Sequence, residues 1–253
     1  MTRINNIVWF KDSITAWENI NEMFLRQDSD LGATIHSHAL YVYDYTIGIR
    51  KPKLDPDFDF GRHFNYTMAK WKSLVSNYID FTELKAIKEE VQAEESKSKS
   101  RIYNLALQFT NKHGHGKNCL LSMVFSRRAN ESKPTINIFL RASEVTKRLV
   151  CDLLLFQRIG EYIYGDTEFQ LIIHFNQMFN DDTVLLMYHA HKSIKSILRE
   201  STSERSKELL ETLKKLLKKD PSEIKYKVHR RAAKVLRPDI CKYPKTLAKD
   251  CKL

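Results

Sequence analysis

The strongest constraint on the fold of this chain is an apolar segment in its second half. Val150 to Tyr164 is rich in leucine, isoleucine and aromatic residues, and its pattern predicts a strongly apolar helix. Phe169 to Phe175 follows as a predicted buried strand. Three further strands are predicted before the helix, at Arg101 to Thr110, Cys119 to Phe125 and Ile136 to Leu140. Strands on both sides of an apolar helix indicate an α+β body.

The first half of the chain alternates predicted helices with a strand. The helices are predicted at Ile14 to Leu25, His63 to Tyr78 and Phe81 to Glu95, and the strand at Ala39 to Ile49. Asp12 or Ser13 could cap the first helix. The charged stretch Glu94 to Ser100 has the composition of a linker, and we expect a mobile loop there.

Composition supports one large domain with an appendage. With 253 residues, of which 42% are hydrophobic and 11% aromatic, the chain can bury a sizeable core. Only 7 Gly and 6 Pro are present, which disfavours a turn-rich sandwich or repeat array and leaves no glycine-rich phosphate loop. We expect a domain at residues 1–200 and an extension at residues 201–253.

Hydropathy and cysteine spacing predict an intracellular, cytoplasmic protein. No apolar run is long enough for a membrane span, and the N-terminal segment lacks the apolar stretch of a signal peptide. The four cysteines make no CxxC pair, so free thiols are expected. His36, His38, His113 and His115 lack a Cys or carboxylate at familiar spacing, and we expect no metal site.

The excess positive charge is concentrated in the extension. The chain carries a net charge of +11, and from Glu204 onward sixteen Lys or Arg face seven Asp or Glu. Ser203 to Lys219 has leucines on one helical face and lysines opposite, which predicts a basic helical extension. This region is either an ordinary solvated face or a nucleic-acid contact. Its candidate nucleic-acid-binding residues are Lys214, Lys215, Lys218, Lys219, Lys227, Arg230, Arg231 and Arg237.

A group of residues around the apolar helix has a recognisable order. Cys119 opens a predicted strand, and Arg141-Ala142-Ser143-Glu144 follows 22 residues later, after a hairpin. Asp152 lies in the apolar helix eight residues after Glu144, and Arg101 precedes the cysteine strand. Between about Trp9 and Tyr188, this order resembles the thymidylate synthase and deoxycytidylate hydroxymethylase family.

The resemblance implies a thymidylate-synthase-like mixed sheet packed with helices, and a homodimer formed through that sheet. Cys119 would be the nucleophile that adds to the pyrimidine ring, and Arg101, Arg141 and Ser143 would bind the substrate and its phosphate. Asp at position 152 matches the cytosine-specific members, so cytosine is favoured. The implied cofactor is methylenetetrahydrofolate, and the implied setting is viral nucleotide or DNA modification, with the host cytoplasm as location.

Each of these residues also has a purely structural interpretation. Cys119 could be an inert strand cysteine, Arg141 and Arg101 could form ordinary ion pairs, and Asp152 could cap its helix. Other positions depart from the family pattern: Met68 stands where the family has a proton-relaying glutamate, and apolar residues stand where it has a sugar-binding His and Tyr, at Phe169 and Leu171. The stretch from Tyr78 to Ser96 is too short for the family's cofactor-contacting insertion.

Two functions follow from the sequence. The first is a pyrimidine-nucleotide-binding protein with a partly eroded site, which if active is a C5 methyl- or hydroxymethyltransferase. The second is a catalytically inactive dimeric scaffold that binds nucleic acid or a partner protein through the basic extension.

Overall fold

The structure is a computed structural model that describes residues 7–26, 34–36, 39–64, 66–97, 103–109, 119–127, 132–181, 211–212, 214–215, 218–225 and 244–253. Its strands are β1 (Val8–Asp12), β2 (Thr34–His36), β3 (Ala39–Lys51), β4 (Tyr103–Gln108), β5 (Leu120–Arg127), β6 (Thr135–Leu140), β7 (Ser143–Glu144) and β8 (Gln170–Asp181). Its α-helices are α1 (Ser13–Arg26), α2 (Phe60–Phe64), α3 (Met68–Tyr78), α4 (Phe81–Lys97) and α5 (Arg148–Tyr164).

The eight strands form one mixed sheet. Six of them lie in the order β1-β3-β8-β6-β5-β4, with β2 beside β3 and β7 beside β8. The β1–β3, β6–β8 and β7–β8 pairs are parallel, whereas β2–β3, β3–β8, β4–β5 and β5–β6 are antiparallel. The predicted α+β class is therefore confirmed.

Helix α5 is the central helix of the core. Thirteen of its 17 residues are buried, which explains why its sequence is apolar almost all round. The strand residues Ile136, Ile138 and Ile173 are fully buried in the same hydrophobic core as this helix. Within the described residues, no helix is long and apolar enough to cross a membrane.

Helix α1 confirms the first predicted helix almost residue for residue. The Asp12 carboxylate accepts a hydrogen bond from the Thr15 amide at 2.8 Å, so the expected cap is Asp12. Trp17 on this helix donates its indole N–H to the Thr146 carbonyl oxygen at 2.9 Å, which ties the helix to the start of α5.

Two of the predicted elements have different bounds in the structure. The helix expected from His63 to Tyr78 is two helices, because Thr67 starts α3 by accepting a hydrogen bond from the Lys70 amide. The loop expected from Glu94 to Ser100 begins as the last turn of α4, which runs to Lys97, and residues 98–100 lie outside the described residues. Glu95 holds this turn in place, since its two carboxylate oxygens accept hydrogen bonds from Arg127 at 2.7 and 2.8 Å.

The last ten residues, 244–253, form a C-terminal strap that packs against the body. Cys251 is fully buried in the hydrophobic core. The Arg158 guanidinium donates to the carbonyl oxygens of Ala248 and Cys251 at 2.9 and 2.8 Å, and the Trp71 indole donates to that of Lys252 at 2.7 Å. A boundary near residue 201 stays a prediction, but the strap is part of the folded core.

Candidate functional site

The predicted nucleophile and the predicted phosphate ligand lie side by side where β5 begins and β6 ends. The Arg141 amide donates a hydrogen bond to the Cys119 carbonyl oxygen at 2.7 Å, directly beyond the Leu120–Leu140 pair. The Cys119 side chain is half-buried and that of Arg141 is exposed. The spacing of 22 residues therefore corresponds to adjacent positions at one end of the sheet.

The predicted base-reading residue is also at this end of the sheet. The Ser143 hydroxyl donates to the Asp152 carboxylate at 3.3 Å, and both side chains are buried. Helix α5 starts at Arg148, so Asp152 lies in its second turn. The alternative interpretation of Asp152 as a helix cap is therefore wrong.

Glu144 caps helix α5 instead. Its carboxylate accepts backbone N–H groups from Thr146 and Lys147 at 2.9 Å each and from Arg148 at 3.2 Å. Burial raises the pKa of Glu144, and the three N–H donors oppose that rise. The Glu144 carboxylate, which belongs to the segment that resembles the family motif, therefore stabilises the start of helix α5.

The ionisation of Asp152 is set by burial and by a neighbouring arginine. Burial raises the pKa of Asp152 to about 7, while the Arg148 guanidinium and the Ser143 hydroxyl oppose the rise. Arg148 was not predicted as a site residue. The signal was present in the sequence, because residues four apart on a helix share one face.

Two tyrosines complete the group and were also missed. Burial raises the pKa of both Tyr66 and Tyr78, and the Asp152 charge raises each further. The Tyr78 hydroxyl accepts the Cys119 amide N–H at 3.4 Å. Tyr78 ends a predicted helix, and no local pattern identifies a side chain that tertiary packing brings to Cys119.

We call these six residues the strand-end cluster: Tyr66, Tyr78, Cys119, Ser143, Arg148 and Asp152. It combines a thiol, a carboxyl group of near-neutral pKa, a guanidinium and three hydroxyls. Such a set can donate and accept hydrogen bonds, bind an anion and supply a sulfur nucleophile.

Cys119 differs from the other cysteines that the structure describes. Cys151 is fully enclosed, and burial raises its pKa well above the usual value. Burial also raises the pKa of Cys251, to about 11. Both thiols are buried, whereas Cys119 is half-buried. Among the described thiols, Cys119 is therefore the best placed to meet a ligand.

Phe169 and Leu171, which stand where the family has its sugar-binding His and Tyr, do not belong to this cluster. Met178 of β8 pairs with Ser143, whereas Phe169 and Leu171 precede Met178 by nine and seven residues. At about 3.3 Å per residue they lie roughly 23–30 Å away along the strand. Met68 instead contacts the strap, with its sulfur 3.9 Å from that of Cys251.

The remaining predicted site residues are Arg101, which was predicted to bind phosphate, and the basic residues of the extension. Arg101, Lys227, Arg230, Arg231 and Arg237 lie outside the described residues. Lys214, Lys215, Lys218 and Lys219 are described, and their side chains are exposed.

A metal centre finds no support in the described parts of the chain, where no three His, Cys, Asp or Glu side chains are grouped to hold an ion. The chain matches no model of a known protein family. No curated protein is significantly similar to it in sequence.

Proposed function

We propose that this protein binds a pyrimidine nucleotide at the strand-end cluster, with cytosine favoured, in the manner of thymidylate synthase and deoxycytidylate hydroxymethylase proteins. The observation that carries the proposal is the Ser143–Asp152 hydrogen bond beside the Arg141–Cys119 backbone pair. The family resemblance selects these four residues, and the two pairs support the proposal because each brings two of them into contact.

Asp152 is the proposed reader of the base. A carboxyl group with a pKa of about 7 is partly protonated at neutral pH. When protonated, it donates one hydrogen bond and accepts another. Cytosine presents a complementary edge, because its N3 accepts and its N4 amino group donates.

Arg141 is the proposed phosphate ligand. Its exposed guanidinium extends from the backbone position that pairs with Cys119. A guanidinium fork matches two phosphate oxygens at once. Arg101 is proposed as a second phosphate ligand on the family resemblance.

Cys119 is the proposed nucleophile. Its thiolate adds to C6 of the ring: the S–C6 bond forms, the C5–C6 π bond breaks, and C5 takes a proton from water. This proton replaces the one that the thiol released to solvent, so the net step neither gains nor loses a proton. The addition is reversible.

The residues that the structure describes do not supply a wall for methylenetetrahydrofolate. Most of the segment between Tyr78 and Ser96, where the family has its cofactor-contacting insertion, is helix α4. This helix buries Leu84 and Val91 in the core and contains no tryptophan. Trp17 and Trp71 are buried, and the half-buried Trp9 ring lies 4.9 Å from the Arg50 guanidinium. We therefore assign no step to folate, and the proposed chemistry ends at reversible thiol addition.

Calorimetric titration tests this proposal. The protein should bind dCMP at least tenfold more tightly than deoxycytidine, because Arg141 contacts the phosphate. Arg141→Ala should reduce this difference and leave the part that Arg101 contributes. Arg50→Ala is the matched control, since Arg50 is exposed and its guanidinium lies 4.9 Å from the Trp9 ring centre. Equal affinities for dCMP and deoxycytidine would reject the site. Equal losses of dCMP affinity in Arg141→Ala and Arg50→Ala would also reject it.

We further propose a homodimer formed through the sheet face opposite the core. Phe139 lies between the buried residues Ile138 and Leu140, so its side chain points to that face, where 38% of it is exposed. Its ring stacks on His174 at 4.7 Å, and the His174 Nδ1 lies 3.1 Å from the Thr46 hydroxyl. An exposed apolar ring on a sheet face suits a self-complementary contact.

Light scattering tests the dimer. Phe139→Glu should give monomers, because it places a charge in the proposed contact. Phe81→Glu changes a phenylalanine that is 50% exposed at the start of α4, and the dimer should persist. A monomeric parent protein, or a dimeric Phe139 variant, would contradict the proposal.

A second function, polyanion binding by the extension, has support from its described lysines. Lys214, Lys215, Lys218 and Lys219 are exposed within six residues of chain, and three of them lower the pKa of Glu211. The resulting positive potential suits DNA or RNA phosphates.

A further inference from the structure

A cavity of about 300 Å³ lies at the other end of the sheet from the strand-end cluster. The end of β3, the last turns of α5 and the residues just before β8 form its walls. Gln170 starts β8 eight residues before Met178, which pairs with Ser143 of the cluster. The cavity is therefore roughly 26 Å from the cluster along the strand. Its volume is at the lower end of the range for small-molecule sites, about 300–1,000 Å³.

Three of the charged side chains that line this cavity are already paired. The Lys51 ammonium lies 3.2 Å from the Glu168 carboxylate. The Glu161 carboxylate binds the Arg158 guanidinium at 2.6 Å and accepts a hydrogen bond from the Gln157 amide at 2.7 Å. These three charges are compensated within the protein and do not require a ligand.

Lys53 and Asp166 are the other two charged residues of the lining. Both side chains are exposed, and neither makes a hydrogen bond or an ion pair with any residue that the structure describes. Asp166 directly follows Gly165, where α5 ends, and the partial negative charge of a helix C terminus favours an ammonium group there. The cavity therefore presents one uncompensated ammonium and one uncompensated carboxylate.

Gln157 gives the cavity a buried hydrogen-bond donor. Only 6% of this residue is exposed. Its Oε1 accepts the Leu54 amide N–H at 2.9 Å, and one of its two side-chain N–H groups donates to Glu161. The second N–H group has no acceptor in the part of the chain that the structure describes. A donor without an acceptor at a buried site costs free energy, which a ligand oxygen would recover.

We propose that this cavity binds a free apolar α-amino acid in its zwitterionic form. The ligand carboxylate accepts hydrogen bonds from the Lys53 ammonium and the second Gln157 N–H group, and the ligand ammonium pairs with Asp166. The apolar side chain of the ligand lies against Pro52 and Phe169, which are buried in the cavity wall. This site is separate from the nucleotide site, and neither proposal depends on the other.

The signs of the two uncompensated charges favour a zwitterion over simpler ligands. An anion without an amino group would pair with Lys53 and be repelled by Asp166. A cation without a carboxylate would pair with Asp166 and be repelled by Lys53. Only a molecule that carries both charges compensates both side chains, so the site discriminates against ligands of a single sign.

Calorimetric titration with three matched probes tests the site. The probes are L-leucine, 4-methylpentanoate, which lacks the ammonium group of leucine, and 3-methylbutylamine, which lacks its carboxylate. L-Leucine should bind about tenfold more tightly than either analogue, because each analogue loses one hydrogen-bonded charge. The proposal is overturned if L-leucine does not bind, or binds no more tightly than the analogues.

Two substitutions of exposed residues assign the charges. Lys53→Met should weaken L-leucine and 4-methylpentanoate by about tenfold but not 3-methylbutylamine. Asp166→Asn should weaken L-leucine and 3-methylbutylamine by a similar factor but not 4-methylpentanoate. Lys72→Met, at an exposed position on α3, is the matched control and should leave all three affinities unchanged. Affinities in Lys53→Met and Asp166→Asn equal to those of the control, or equal losses for both analogues in one variant, would contradict the site.

Discussion

The Ser143 hydroxyl donates a hydrogen bond to the buried Asp152 carboxylate at 3.3 Å, joining β7 to the second turn of α5. Burial nevertheless dominates and raises the pKa of Asp152 to about 7. The folded protein therefore keeps a proton on this group at a pH where the unfolded chain has lost it, because an unperturbed Asp titrates near pH 3.9.

The first prediction concerns the pH dependence of stability. The contribution of the Asp152 proton is fully present below about pH 4 and is lost as pH rises through 7. Asp152→Asn has no such proton to lose. Relative to the parent protein, its free energy of unfolding should increase by up to roughly 4 kcal/mol between pH 4 and pH 8. Urea unfolding at several pH values measures the difference, and a constant difference would contradict the raised pKa.

The second prediction concerns the Glu95–Arg127 ion pair at the end of α4. Both side chains are largely buried, with 30% and 16% exposed, and the carboxylate binds the guanidinium through two oxygens. Glu95→Gln should lower the free energy of unfolding by about 1–3 kcal/mol, because it leaves a buried guanidinium poorly paired. Glu89→Gln breaks an exposed pair with Lys85 and should cost less than about 0.5 kcal/mol. Urea unfolding measures both changes. If the two variants lose the same free energy of unfolding, the Glu95–Arg127 pair is not the more stabilising one.

The third prediction concerns attachment of the C-terminal strap. A Cβ atom at Gly61 would lie 1.7 Å from the Pro244 carbonyl oxygen, so Gly61→Ala should displace the strap. Hydrogen exchange in residues 245–253 should then become faster by at least tenfold. Gly165→Ala is the control, because it strains a backbone with φ of 60° but meets nothing within 4 Å. If hydrogen exchange in residues 245–253 is unchanged in Gly61→Ala, the strap does not pack against Gly61.

The fourth prediction concerns the basic extension. Changing Lys214, Lys215, Lys218 and Lys219 together to Ser should weaken DNA or RNA binding and flatten its dependence on salt, since each phosphate contact releases counterions. Fluorescence anisotropy at 50 and 200 mM salt measures both effects. If binding is absent in the parent protein, or is insensitive to salt, the extension does not bind nucleic acid through these lysines.

Local patterns predicted much of this fold. Helix α5 and strands β5 and β6 follow from apolar periodicity, which depends on neighbours in sequence. Strand β1 was missed because its five residues have no distinctive pattern, and its strand identity comes from parallel pairing with β3. The strap was missed for a related reason: its buried Cys251 is followed by Lys252 and preceded by Asp250, so its burial depends on distant helices.

Part of the candidate site was also predictable from the sequence. The family resemblance selects Cys119 with Arg141 and Ser143 with Asp152, and the two residues of each pair are in contact in the structure. Tyr78 could not be found in this way, since it approaches Cys119 across 41 residues of chain. The role of Glu144 was missed because a cap and a ligand can have the same local sequence.

The affinity for dCMP as a function of pH tests the central claim most directly, which is that Asp152 reads the base. Above pH 7 the phosphate is already mostly dianionic, while Asp152 is losing the proton that it would donate to cytosine N3. The dCMP affinity of the parent protein should therefore fall several-fold between pH 7 and pH 8.5, while that of Asp152→Asn, whose amide keeps its donor, should stay constant. Parallel pH profiles for the two proteins would contradict the claim.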